Sequence, residues 1–267
     1  MSPRTVRKEG PPGAIAAEVA GLRWLAGAEP DGGARVVRVA GTGPGWLETA
    51  HVAQTAPDAA AAEAFGRSLA RTHAAGAPAF GSAPPGAPAE GVMGAAPLPW
   101  HRDPADARAT WGEFYAAERL LPYLADAVGN ASLDVAGARV VERCAARVAD
   151  GRFDAPQPAL VHGPAARLHG DLWSGNVLWA ARGSGAEAVL IDPAAHGGHA
   201  ESDLAQLIVF GAPHEERIRA AYDEISPFAN GWRERVGLHQ LHMLLVHAAL
   251  FGGGYGERTI DVARRYA

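Results

Sequence analysis

The feature that most restricts this chain is an apolar run, Ala188-Val-Leu-Ile191, that stops abruptly at Asp192-Pro193. Such a run reads as a buried strand that delivers a carboxylate to a cleft. Sixteen residues earlier, Asn176 closes the segment His169-Gly-Asp171-Leu-Trp173-Ser-Gly-Asn176, which sets an acid and an amide five residues apart on a tight loop. Asp171, Asn176 and Asp192 form an oxygen-rich set of the kind that suits Mg²⁺, which prefers hard oxygen donors and is shared between one or two carboxylates and substrate phosphates.

Phosphoryl transfer requires a positioned hydroxyl nucleophile, neutralised phosphate charge and in-line geometry, and His-x-Asp-x4-Asn followed by a strand-end Asp meets those needs. Asp171 is read as the residue that accepts or orients the proton of the attacking hydroxyl, with Asn176 and Asp192 holding the metal. His169 is read as a residue that packs the loop rather than one that moves a proton. Trp173, two positions after Asp171, either offers an aromatic face to a sugar or simply packs.

Composition narrows the setting. The chain has 267 residues, 48% of them hydrophobic, enough for one large domain or two lobes that share a cleft. Its 33 Gly and 20 Pro follow no Gly-X-Y period, so they punctuate loops rather than build a collagen-like fibre. Lys plus Arg number 24 against 29 Asp plus Glu, for a formal charge of -5 and no basic block, which argues against a nucleic-acid partner. The lone Cys144 excludes an intrachain disulfide and a multi-cysteine zinc site and is expected to be a small buried hydrophobe. No run of 18 apolar residues occurs and the N-terminus carries no leader pattern, so no membrane contact and a cytoplasmic location are expected.

Along the chain, Ile15, Val19, Leu22 and Leu25 after a Pro-Pro-Gly start predict a helix from Pro12 to near Gly27. Arg35, Val36, Arg38 and Val39 alternate as one strand, and Trp46-Leu47-Glu48 as a second, giving a small mixed lobe. A helix over about 59–74 presents Phe65, Leu69 and His73 on one face. Residues 76–99, rich in Pro, Gly and Ala, are read as a plain surface linker in preference to a loop that borders the substrate cleft. Helices follow over 111–128 and 133–148, and the chain from Glu201 onward reads as mostly helical.

These segments closely resemble the fructosamine kinase family (fructosamine-3-kinase or ketosamine-3-kinase), within the protein-kinase-like and aminoglycoside-phosphotransferase-like group. The resemblance rests on Leu168 to Asn176, on Asp192-Pro-Ala-Ala-His-Gly-Gly-His-Ala-Glu-Ser-Asp203-Leu-Ala, on Trp111-Gly-Glu-Phe-Tyr-Ala-Ala-Glu-Arg-Leu-Leu-Pro122, and on Leu245-Val-His-Ala-Ala-Leu-Phe-Gly-Gly-Gly-Tyr255. It implies an α+β, two-lobed protein-kinase-like fold, with residues 1–51 as nucleotide-binding lobe and hinge and 52–267 as the lobe with catalytic loop and substrate site. It implies ATP-dependent phosphorylation of the 3-hydroxyl of a ketosamine, a metabolite or a glycated protein lysine, to give an unstable phosphate that breaks down and frees the amine. Asp203 is, by resemblance, the acid that steadies the catalytic loop.

A kinase-like site also needs a strand lysine and a helix glutamate, for which Lys8 and Glu18 are the candidates. Glu48, Ala50 and His51 fall at the hinge, whose backbone is expected to face adenine. No glycine-rich strand pair precedes Lys8, so the phosphate-covering loop is expected upstream of the recorded start, or the nucleotide lid is open. The competing readings are a kinase for another hydroxylated amine, of the aminoglycoside or choline type, and a non-catalytic nucleotide-binding pseudokinase.

Overall fold

The computed structural model describes residues 4–183 and 185–267. In chain order the smaller part contains β1 (Thr5–Glu9), α1 (Pro12–Ala26), β2 (Arg35–Val36), β3 (Val39–Gly43) and β4 (Trp46–Ala50). Strands β1, β4 and β3 form an antiparallel sheet with β4 in the middle, and the register sets Lys8 opposite Leu47. Pro12 occupies the first helical turn of α1, where its missing N–H costs nothing, and Ile15, Val19, Leu22 and Leu25 are all buried. Gly21 brings α1 close to Pro193 and Ala195, whose side-chain atoms would lie 3.1 and 3.2 Å from a Cβ there.

The single strand expected over residues 35–39 is two strands. Val36 and Val37 are both buried, which adjacent residues of one regular strand with a solvent face cannot satisfy, because their side chains point to opposite faces. β2 leaves the small sheet and runs parallel to β9 (Gly185–Leu190), with Val36 opposite Leu190. The pairing with β9 still reaches Val37, whose N–H donates to the Leu190 carbonyl at 2.9 Å, and the small sheet resumes only at Val39, where β3 starts afresh with a bulge between Val39 and Gly41.

The larger part opens with α2 (Ala59–Ala74), capped by Asp58, whose carboxylate accepts the Ala61 N–H at 2.8 Å. The segment expected to be a plain linker contains a hairpin, β5 (Gly91–Met93) and β6 (Ala96–Leu98), that turns at Gly94 with φ +61°. Met93 and Leu98 anchor it in the core, and only three residues per strand carry the alternation, too few to stand out in a Pro/Gly/Ala background. The one helix expected over 111–128 is interrupted: α3 (Trp111–Tyr115) passes through a π turn at 116–120 and a 3-10 turn at 121–123 before α4 (Leu124–Gly129). Pro122 has no N–H to continue the ladder. Helix α5 (Val135–Ala149) then buries Val140, Val141, Cys144 and Val148.

The strands β7 (Ala166–Leu168), β8 (Val177–Arg182), β9 and β10 (His196–Gly198) frame the site. β8 and β9 form an antiparallel hairpin, and β10 pairs with β7. The loop after β7 and the segment after β9 thereby emerge side by side. Helices α6 (Glu201–Val209), α7 (Glu215–Ile225), α8 (Trp232–Phe251) and α9 (Tyr255–Ala263) complete the lobe. One core lies among α3, α5, α8 and α9, and a second lies under α1, α2 and the β8–β9 hairpin. Among the described residues no helix is long and apolar enough to cross a membrane.

Helices α2 and α7 meet at Gly66, where a Cβ would sit 2.1 Å from the Ile218 carbonyl oxygen. Gly66→Ala is expected to cost about 1–3 kcal/mol, the usual range for overpacking a tight contact. The urea midpoint should fall while the slope of the transition stays the same.

Candidate active site

The loop after β7 is shaped by a carboxylate that never reaches solvent. Asp203, in the first turn of α6, is fully buried; its Oδ1 accepts the Gly170 N–H at 2.9 Å and its Oδ2 the His169 N–H at 2.7 Å. Burial opposes its charge, but His73, 3.1 Å away through Nε2, and the neighbouring donors outweigh that and hold the carboxyl below its ordinary range. Gly170 has φ +81°, and a Cβ there would lie 2.1 Å from the Ala194 carbonyl oxygen, so only glycine fits between the two segments. His169 is buried, Nε2–H donates to the Ile191 carbonyl at 2.9 Å, and Nδ1 accepts the Asp171 N–H at 3.3 Å. Burial lowers its pKa, and a neutral ring with both nitrogens engaged packs the loop rather than carrying a proton.

Asp171 and Asn176 come together at the end of this loop. The Asn176 amide donates to the Asp171 carbonyl at 2.8 Å and to Asp171 Oδ2 at 3.0 Å. This leaves Asn176 Oδ1, which takes no hydrogen bond from any described residue, as a hard oxygen donor beside Asp192, whose carbonyl lies 3.5 Å from the same amide nitrogen. The Asp192 backbone is left-handed, φ +53°, a conformation that Asp and Asn adopt more readily than most non-glycine residues. The donor set fits a divalent cation of the Mg²⁺ class.

From the other side, β1 and α1 deliver Lys8 and Glu18. The Lys8 ammonium lies 2.8 Å from Glu18 Oε2 and also hydrogen-bonds Asp192 Oδ1. Lys8 is the only lysine in the chain. Burial and a hydrogen bond to Asp192 raise the Glu18 pKa to about 7, although Lys8 works against the shift. Burial also opposes ionisation of Asp192, yet hydrogen bonds from Glu18 and Lys8 prevail and its carboxyl ends below its ordinary value. Asp192 is thus the anion of the trio and Lys8 the cation.

Two openings flank this trio. A cavity of about 280 Å³ is walled by Val6, Val37, Leu47, Leu178 and Ile191, with Ala50 and His51 on its rim. The Ala50 N–H is already bound to the Arg38 carbonyl and the His51 N–H to that of Arg4, so β4 keeps these donors within the sheet. Glu48 points away, as alternation along a strand requires, and its side chain meets Arg7 at 3.3 Å. A second opening of about 410 Å³ is lined by Lys8, Glu18, Asp171, Trp173, Asn176 and Asp192 and is bordered by Val92 to Gly94 of the β5–β6 turn. Trp173 is 38% exposed and lies across Gly175, where a Cβ would be 2.2 Å from the indole. Among the described residues no glycine-rich strand pair precedes Lys8.

Sequence reasoning missed two contributors, His73 and Gln206. His73 falls on the buried face of α2 and looks like a core residue; nothing in its spacing reveals Asp203 on one nitrogen and the Tyr222 hydroxyl, 2.9 Å away, on the other. Gln206 Oε1 accepts the Leu172 N–H at 3.0 Å and extends the loop's support by one residue. The β5–β6 turn borders the opening, which is the less favoured of the two readings of residues 76–99. A separate buried group, His199, Glu201 and His239, has metal-like spacing. Both Glu201 oxygens are engaged by Arg235, at 2.9 and 2.6 Å, so the cluster is an ion-pair network that closes on its own arginine.

Two lobes joined through a Lys–Glu–Asp contact, with an Asp/Asn loop facing a strand-end Asp, define a protein-kinase-like phosphotransferase fold. A solved aminoglycoside phosphotransferase shares that fold, with a TM-score of 0.56 over 94% of this chain and 84% of that one at 16% identity. Residues 13–266 match the sequence profile described as fructosamine kinase, and the chain belongs to the fructosamine kinase family. The crystal structure of a Thermobifida fusca protein assigned as a fructosamine-3-kinase is 41% identical, with a TM-score of 0.84 over 99% of this chain and 85% of that chain. A curated Synechocystis protein named a probable ketoamine kinase is 36% identical over 203 residues, which is 75% of this chain and 60% of the relative. The chain thus aligns with about three-fifths of the length of that curated relative.

Burial first, and the nearby Asp192 charge, raise the Asp171 pKa to about 7, partly offset by the Asn176 hydrogen bond. An enzyme that uses Asp171 as its base needs it unprotonated and should show kcat/KM rising with pH and levelling off above about 7, because this ratio reports the free enzyme. Asp171→Asn should lower turnover roughly 10²- to 10⁴-fold. The folded state holds this proton more tightly than the unfolded chain, whose pKa is near 3.8, so ionisation penalises folding progressively between pH 3.8 and about 7. The Tm advantage of Asp171→Asn over wild type should therefore grow across that window and stay constant above it. A pH-independent difference would exclude ionisation as its cause.

Proposed function

We propose that this chain is an ATP-dependent kinase that phosphorylates the 3-hydroxyl of ketosamines, the sugar adducts of amines. The observation that carries this reading is the convergence of Lys8 and Glu18 from one side of the cleft with Asp171, Asn176 and Asp192 from the other. Family membership and the ketoamine kinase among its relatives supply the substrate class. Residues 1–51 are assigned to the nucleotide-binding lobe and 52–267 to the lobe that holds catalytic loop and substrate. Adenine is assigned to the 280 Å³ cavity, with Ala50 and His51 at its rim and the segment after β4 as hinge. The sugar is assigned to the 410 Å³ opening beside Trp173.

In this reading Asp171 Oδ takes the proton from the sugar 3-hydroxyl as that oxygen forms its bond to the γ-phosphorus. The bond from phosphorus to the bridging oxygen of ADP breaks, and the electron pair leaves with ADP. Lys8, held by Glu18, orients the nucleotide phosphates. Asn176 and Asp192 would hold Mg²⁺, which when bound neutralises phosphate charge. Asp203, His73 and His169 keep Asp171 in place without touching substrate. A ketosamine carries hydroxyls and a basic amine but no anionic group, so it needs no cationic pocket, consistent with a chain of net charge -5. Glycated protein lysines as substrates and a cytoplasmic location belong to the same proposal.

Purified protein with Mg-ATP is expected to convert a fructosamine of a simple amine to its 3-phosphate, read by ³¹P NMR, and to leave an aminoglycoside unmodified. Transfer to the aminoglycoside alone would favour the competing amine-kinase reading. Asp192→Ala should weaken Mg²⁺-dependent nucleotide binding in calorimetry, and wild-type affinity would count against metal ligation. Because the chain holds a single lysine, acylation with an amine-selective reagent should abolish activity in step with modification of Lys8, and saturating ATP should slow both. Full activity in fully acylated protein would remove Lys8 from its role.

A further inference from the structure

Trp173 is not the end of the aromatic surface that starts in the cleft. Its ring meets Phe210 edge-on at 6.2 Å, Phe210 meets His247 at 5.1 Å, and His247 meets Phe251 at 5.4 Å and Tyr255 at 5.0 Å. Three of these are among the large hydrophobic side chains left open to solvent: Trp173 at 38%, Phe210 at 37% and Phe251 at 69%. The rings come from four separate elements, the catalytic loop, the end of α6, the last turn of α8 and the start of α9, so no single amphipathic helix accounts for them. The same α8 end approaches the cleft by a second route, because Leu250 would touch a Cβ at Gly94, the β5–β6 turn that borders the opening.

We propose that this aromatic wall is the subsite for the amine-borne substituent of the ketosamine, with Phe210 and Phe251 selecting flat apolar groups. The inference rests on the ketosamine reading above and adds to it which amines are favoured. A ketosamine has two ends: the sugar carries the reacting hydroxyl, and the other end must leave the cleft. A contiguous exposed aromatic surface that begins at the cleft wall supplies an apolar exit path, and exposed patches of this kind mark binding surfaces. His247 donates Nδ1–H to the Met243 carbonyl at 2.8 Å and burial lowers its pKa, so the ring in the middle of the wall stays neutral. The cation bordering the wall is Arg258, bound to the Val209 carbonyl at 2.8 Å, which disfavours a second positive charge on the substituent and favours a neutral flat one.

The test compares two adducts of one sugar, the fructosamine of methylamine and that of benzylamine, in steady-state kinetics of the full chain with Mg-ATP. Wild type is expected to show the lower KM for the benzylamine adduct. Phe251→Ser, at a mostly exposed position where folding is not at stake, should raise the benzylamine KM roughly fivefold more than the methylamine KM, of the order of one aromatic pair. Phe251→Tyr should restore the preference, and Phe210→Ala should reduce it further. A KM ratio that none of these variants moves would overturn the subsite. So would an unchanged ratio accompanied by loss of self-association in Phe251→Ser, which would assign the wall to contact between two copies. A wild type that phosphorylates neither adduct would instead defeat the ketosamine reading itself.

Discussion

A buried carboxylate that must satisfy itself with protein donors organises the catalytic side of this molecule. Asp203 has no water to turn to, so it takes the two consecutive N–H groups of His169 and Gly170 and the imidazole of His73. An unpaired charge at that depth would cost several kcal/mol, so the loop's backbone is bound to α6 and α2 by the need to neutralise it. The conformation of Asp171 follows from that anchor. Its raised pKa is the other face of the same burial: a carboxyl group kept out of water ionises only near neutral pH, at a cost in stability.

The small lobe is coupled to this anchor through charge and through close packing. Lys8 bridges Glu18 on α1 and Asp192 after β9, while Gly21, one turn further along α1, allows the helix to lie on Pro193 and Ala195. Moving α1 would break the ion pairs and the packing together. β2 adds a covalent reason for the lobes to keep register, because a piece of the first fifty residues is built into the sheet that supports Asp192. Beyond Trp173, the exposed rings of Phe210 and Phe251 make no hydrogen bond to Asp203 or Lys8 among the described residues.

Much of the site was legible because its chemistry is local. His169, Asp171 and Asn176 share one loop, and the acid at the end of an apolar run marks Asp192 whatever the fold around it. The helices of α1 and α2 announce themselves through spacing such as Ile15, Val19, Leu22 and Leu25. Reading failed where partners are distant or signals short. His73 and Asp203 are separated by 130 positions, β5 and β6 have three residues each, and residues 35–39 look like one strand although Val36 pairs with β9 and Val39 with β4.

The amino-acid sequence by itself determined which groups could do the chemistry and in what local geometry, because hydrogen-bonding chemistry, apolar periodicity and the glycine in His-Gly-Asp act over a few residues. Tertiary structure alone decided that Lys8 reaches both Glu18 and Asp192, that His73 steadies a loop it never approaches in sequence, and that aromatic rings from four elements meet beside Trp173. Those outcomes depend on how buried charge and apolar surface are shared between remote segments, a balance that exists only once the whole chain has packed.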